Sequence, residues 1–182
     1  AWLKENRSLR GIVATGCLVE RYREQVLEEM PEVDALVGVG SISRIAEAVA
    51  SVLRGERGFC AFDDKETSKL GGERILTTPS YTAYLKIAEG CDNRCTYCVI
   101  PYIRGKFRSR PEEAILEEAR NLAEAGMKEL IVVAQDITRY GLDLYGRPAL
   151  ADLLPKLCAI EGIEWVRLHY LYPDMITDEL IE

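Results

Sequence analysis

Three cysteines, Cys91, Cys95 and Cys98, fall within eight residues in the spacing C-x3-C-x2-C. Three thiols in one loop suit a shared ligand better than a disulfide framework, and they place the chain in a reducing compartment. Thiolates are soft donors for zinc and for iron–sulfur clusters. Structural zinc normally takes four ligands, and a ferredoxin-type cluster takes four cysteines. Three cysteines without a nearby fourth can hold three irons of a cubane and leave one iron open to a small molecule. The competing reading is a zinc site completed by His169 or Cys158.

The elements around this loop decide how it is presented. Residues 81–88 read as a strand running directly into the first cysteine, which puts the loop at a strand's C-terminal end, where α/β folds place their sites. Ser109 and Glu112 have capping-box spacing, and Ile115, Ala119 and Leu122 continue a helix that Gly126 closes. Residues 129–135 read as a strand whose interior, 130–134, is apolar throughout, as in a parallel strand covered on both faces. A helix over 150–160, with Pro155 in its interior, and a strand over 165–171 follow. The order implies right-handed crossovers in a parallel sheet. Beyond Pro173 another helix begins.

Upstream, residues 11–15 read as a buried strand, and Leu18, Tyr22, Val26 and Met30 recur at helical spacing until Pro31. A second strand spans 33–39, and Ile42, Ile45, Ala46, Val49 and Leu53 share the face of a second helix. Residues 55–80 show little periodicity and read as a connection, with one short strand at 74–77. Both halves are therefore α/β. Three parallel strands leave an open edge, so the chain is expected to be part of a longer polypeptide.

With 23 Lys and Arg against 30 Asp and Glu, the formal charge is −7. That balance argues against a broad nucleic-acid face but not against a local basic site. The 48% hydrophobic content suits a packed core and excludes a wholly disordered chain. No apolar run is long enough to span a bilayer, and residues 1–10 carry charges where a signal peptide needs an apolar stretch. No membrane partner and a cytoplasmic location are expected.

The strand followed by Cys91-Asp92-Asn93-Arg94-Cys95-Thr96-Tyr97-Cys98 resembles the signature of radical SAM enzymes. Within them the chain is similar to the methylthiotransferases. Gly16-Cys17 after a strand, Ile100-Pro101, Arg104-Gly105 and Arg108-Ser109-Arg110 all match that family. The segments Ala134-Gln135-Asp136, Tyr140 to Gly146, Trp165-Val166-Arg167 and Tyr172-Pro173 resemble the branch that modifies an aspartate of a small-subunit ribosomal protein. The sister branch, which modifies an adenosine of tRNA, is the alternative. An iron–sulfur binding module without catalysis is the alternative of a different class.

The resemblance implies a partial Rossmann-like N-terminal unit followed by the first half of a radical SAM (βα) partial TIM barrel. Residues 1–55 would close the N-terminal domain, 56–79 would link, and 80–182 would supply three barrel strands. It implies two 4Fe-4S clusters in the longer enzyme, one held by Cys91, Cys95 and Cys98. The other would take Cys17, with its remaining ligands upstream. S-adenosylmethionine would bind the open iron and, on reduction, yield a deoxyadenosyl radical. That radical would take a hydrogen from the aspartate β-carbon, where a methylthio group is then placed. An electron donor such as flavodoxin or ferredoxin is implied.

Individual residues carry plainer readings beside these. A lone cysteine at position 17 would otherwise be a small buried hydrophobe, and Cys60 and Cys158 are expected to be non-ligands of any cluster. Gly71-Gly72-Glu73 mimics a motif that many radical SAM enzymes use for the methionyl amino group, but it precedes the cluster loop instead of following it. Gln135 and Asp136 stand where that motif belongs and are the candidates for the cofactor pocket, although a carboxylate there can equally cap the next loop. Tyr97 is expected beside the adenine. The run Arg104, Lys106, Arg108, Arg110 reads equally as a solvated loop or as an electrostatic aid to the cofactor carboxylate or an acidic substrate. Alternation sends Arg167 and His169 to one strand face, toward a cofactor or into a satisfied core.

Overall fold

Short runs of β-branched and small residues alternate with helical segments through both halves, and each half forms its own parallel sheet. The computed structural model describes residues 8–72, 74–77 and 79–182. Glu73 of the Gly-Gly-Glu segment and residues 1–7 of the charged N-terminal stretch lie outside the described residues. The chain divides into two units: residues 8–68 with Arg94–Gly105, and Lys69–Asn93 with Lys106–Glu182.

In the first unit β1 (Val13–Thr15), β2 (Ala35–Val37) and β3 (Phe59–Ala61) form a parallel sheet in that order. The central strand is buried throughout and alternates between two small cores. Leu36 joins Val19, Val26 and Val33 on one side, while Ala35 and Val37 join Ala48 and Val52 on the other. A sheet covered on both faces needs apolar residues at every central position, which the run Ala-Leu-Val supplies. The helices are α1 (Cys17–Tyr22), α2 (Gln25–Glu29), α3 (Ile45–Leu53) and α4 (Ile100–Arg104), with a 3-10 turn at Val39–Arg44.

Several expectations for this unit and for the connection after it change. The single helix expected from Leu18 to Met30 breaks at Arg23, whose φ is +46°, and it buries Val19 and Val26 while Leu18, Tyr22 and Met30 are exposed. In α3, Ala48, Ser51 and Val52 are buried, whereas Ile45, Val49 and Leu53, and Ile42 in the 3-10 turn before it, are exposed. Both helices carry apolar residues on more than one side, so periodicity alone does not choose the inward face. Strand β3 arises inside residues 56–79, and no strand forms at 74–77.

In the second unit β4 (Thr82–Lys86), β7 (Glu129–Val133) and β8 (Trp165–Leu168) are parallel, in that order. An antiparallel pair, β5 (Ala88–Glu89) with β6 (Arg108–Ser109), lies beyond the end of β4. Helices α5 (Glu112–Glu124) and α7 (Leu150–Cys158) connect the three strands, and short helices α6 (Leu142–Tyr145) and α8 (Asp178–Ile181) follow β7 and β8. Ala83 and Leu85 of β4, Leu130 and Val132 of β7, and Ile115, Ala119, Leu153 and Leu157 of the helices make the core. The other sheet face carries Tyr84, Ile131 and Arg167 in register.

Pro155 sits inside α7, where it removes a hydrogen bond at a cost of about 3 kcal/mol. Three fully buried leucines, 150, 153 and 157, each contribute about 1.5–3 kcal/mol and outweigh it. The capping box does not form. Pro111 is the N-cap of α5, and the Ser109 hydroxyl instead accepts from Gly141 N at 2.9 Å.

Candidate functional site

Lys86 and Val133 pair at the C-terminal ends of β4 and β7, so the segments leaving these strands start side by side. After β4 the chain passes through β5 and reaches Gly90, whose φ of +81° turns it into Cys91. Gly16 does the same before Cys17, with φ +98°. A side chain at either position would be strained, so glycine at these strand exits follows from backbone sterics.

The first arm of the cysteine loop is well fixed within the second unit. Cys91 is buried. Asp92 Oδ1 accepts from Phe107 N at 3.1 Å, and Asn93 Nδ2 donates to Asp136 Oδ2 at 2.9 Å. Lys86 and Glu89, at the end of β4 and in β5, form an ion pair. The second arm belongs to the first unit. There Cys98 N donates to Cys95 O at 3.0 Å, closing a turn on which Tyr97 is 91% exposed. Helix α4 follows, with Pro101 in its first turn. Its last residue, Arg104, donates from Nη2 to Cys17 Sγ at 3.2 Å, 87 residues away. None of the six cysteines is in a disulfide.

Gln135 and Asp136 leave β7 in different environments. The Gln135 Oε1 atom is buried and accepts no hydrogen bond among the described residues. Asp136 is 1% exposed and accepts from Thr138 N at 3.1 Å, from the Thr138 hydroxyl and from Asn93, with Arg139 Nε at 3.4 Å. Arg167 turns away from the loop to Glu129, donating from Nε at 2.8 Å. This guanidinium, with Thr82 Oγ1 at 3.0 Å, holds the Glu129 carboxyl below the usual carboxylate range. His169 extends the ladder through its backbone N to Val132 O and sets its ring edge-on to Tyr170.

The basic run splits between roles. Arg110 is buried, donating to Lys86 O at 2.6 Å and pairing with Glu118 at 2.6 Å. A groove of about 870 Å³ lined by Lys69, Gly71, Arg74, Arg110, Glu118 and Leu122 runs beside α5, and its lining contains no cysteine. Asn93 and Asp92 are the residues that sequence reasoning passed over. Their place between the first two cysteines was the available signal.

No group of three His, Cys, Asp or Glu converges to metal-ligating distance among the described residues. The donor set nonetheless suits a cluster with one open iron, since three thiols outside any disulfide fall on one loop; within the second unit, the buried Gln135 oxygen has no hydrogen bond among the described residues. Metal binding commonly draws such a loop to its final geometry, because ligand closure is part of the binding free energy.

The family model for the radical SAM superfamily matches residues 85–182. The chain belongs to the radical SAM superfamily, whose members use S-adenosylmethionine and a 4Fe-4S cluster. It is 53% identical, over 98% of its length, to the ribosomal protein uS12 methylthiotransferase RimO of Lachnoclostridium phytofermentans. The RimO of Symbiobacterium thermophilum is 53% identical over 95% of the chain, and that of Desulforamulus reducens 50% over 100%. The chain spans about two fifths of these relatives, 41%, 36% and 41% in turn. A solved radical S-adenosylmethionine methyltransferase, TsrM from Kitasatospora setae, matches 85% of the chain and 36% of its own, with a TM-score of 0.55 at 12% identity. That likeness concerns the fold. No helix among the described residues is long and apolar enough to cross a membrane.

Proposed function

We propose that the chain supplies the central part of a radical SAM methylthiotransferase that acts on an aspartate of ribosomal protein uS12. The observation that carries this reading is identity of 50–53% to methylthiotransferases of that name across nearly the whole chain, cysteine loop included. The domain reading places 1–55 in the N-terminal domain, 56–79 in the linker and 80–182 in the barrel. A ribosomal substrate puts the enzyme in the cytoplasm, with a flavodoxin or ferredoxin as electron donor.

Cys91, Cys95 and Cys98 are the ligands of the radical-generating cluster, and Cys17 is a ligand of a second. When bound, the cluster and S-adenosylmethionine supply the radical that takes hydrogen from the substrate carbon. The chain's own residues bind and orient. Gln135 Oε1 offers a buried acceptor to a cofactor amino or hydroxyl group, and Tyr97 offers an exposed ring to the adenine face. Arg104 donates to the Cys17 sulfur, and donors to a ligating sulfur tune its cluster's potential. Holding substrate carbon and sulfur donor in fixed proximity is the protein's catalytic contribution.

The test is incubation of the longer, anaerobically reconstituted protein with reductant, S-adenosylmethionine and either uS12 or tRNA, followed by mass spectrometry. A methylthio group on a uS12 aspartate and none on tRNA is expected. Modification of tRNA alone would transfer the chain to the sister branch.

A further inference from the structure

We propose that Asn93 and Asp136 are a positioning pair that locks the Cys91 arm of the loop to the end of β7, so that Cys91 meets the cluster in one geometry. The inference rests on reading the loop as a cluster site. Its observations are its own.

An ionised carboxylate is acceptor-only, with about four lone-pair sites. At Asp136 one oxygen takes the Thr138 N–H and the Thr138 hydroxyl, and the other takes Asn93 Nδ2 at 2.9 Å beside Arg139 at 3.4 Å. The residue is 1% exposed. Three donors hold its buried carboxylate, and the one of them that belongs to the cysteine loop is Asn93, so it acts on the loop through Asn93. The bond joins residues 43 apart, one midway between two candidate ligands and the other just past β7, the strand paired with β4.

Asn93 is suited to this place. It is a neutral donor, half-buried, and its amide reaches the carboxylate without adding a second charge. Asp92 pins the same arm from its other side by accepting from Phe107 N. With both side chains engaged, the backbone on the C-terminal side of Cys91 has little freedom. Outer-shell hydrogen bonds that orient metal ligands typically change metal affinity about 10- to 100-fold when removed, and this bond acts one step further out.

The pair is tested on the whole chain, reconstituted with iron and sulfide, by the rate at which a chelator removes iron and by the EPR signal of the reduced cluster. Variants are Asn93→Ala, Asn93→Asp, and the double variant Asn93→Asp with Asp136→Asn. Circular dichroism and thermal midpoints of the metal-free proteins control for folding. Asn93→Ala should lose iron about 10-fold faster at an unchanged metal-free midpoint. Asn93→Asp should be worse, because two carboxylates then face each other. The double variant should recover the wild-type rate and signal, since the amide introduced at position 136 donates to the carboxylate introduced at position 93 while its oxygen still accepts from Thr138. Wild-type iron retention in Asn93→Ala, or failure of the swap to recover a defective Asn93→Asp, would overturn the pair. A wild-type chain that takes up no cluster would overturn the reading of the loop and the pair with it.

Discussion

Arg167 and Glu129 show how a chemical side chain can be occupied by structure. Arg167 lies opposite Ile131 in the sheet, and its guanidinium folds back onto Glu129. Glu129's lowered carboxyl follows first from that hydrogen bond and then from Thr82. A folded-state value below the unfolded one adds stability above the ordinary carboxylate range, lost as pH falls through the lowered value. Arg167→Met should therefore raise the Glu129 titration midpoint followed by carboxyl NMR and flatten the acid side of the stability profile. An unmoved midpoint would mean the pair is not formed in solution. The three cysteines were legible because ligand spacing is local. Asn93 was not, because its partner lies 43 residues away and a hydrogen bond at that separation leaves no local pattern.

At the scale of elements, strands were read more faithfully than helix faces. The strand runs at 11–15, 33–39, 81–88, 129–135 and 165–171 each contain an observed strand. Strand β3, Phe-Cys-Ala, sits between the Gly and charged residues of 55–58 and 63–65, whose loop-like composition hides it. The stripe of Ile42 from the 3-10 turn and Ile45, Val49 and Leu53 from α3 satisfies helical spacing yet is exposed, while the smaller Ala48 and Val52 pack with the central strand. The two helices thus predict opposite responses to urea. Leu153→Ala in α7 should cost about 2–5 kcal/mol, since its side chain is fully buried in the larger core. Leu53→Lys should shift stability by no more than about 0.5 kcal/mol. A large loss from Leu53→Lys would show that the stripe is covered in solution.

For the whole molecule, the proposed function requires an open-iron cluster on the Cys91, Cys95 and Cys98 loop. Membership of the superfamily, the three-thiol loop, and the Gln135 oxygen, which has no hydrogen bond among the described residues, all bear on it. The α/β class of both halves was legible because parallel sheets demand continuous apolar strands between helices. The division of the cysteine loop between two units was not, since it depends on α4 packing within the first of them. The most direct measurement is EPR of the anaerobically reconstituted, reduced chain with and without S-adenosylmethionine. A 4Fe-4S signal that shifts on adding S-adenosylmethionine, and disappears in Cys95→Ala, is the result expected. A signal indifferent to it, or one that survives loss of Cys95, would contradict an accessible iron held by this loop.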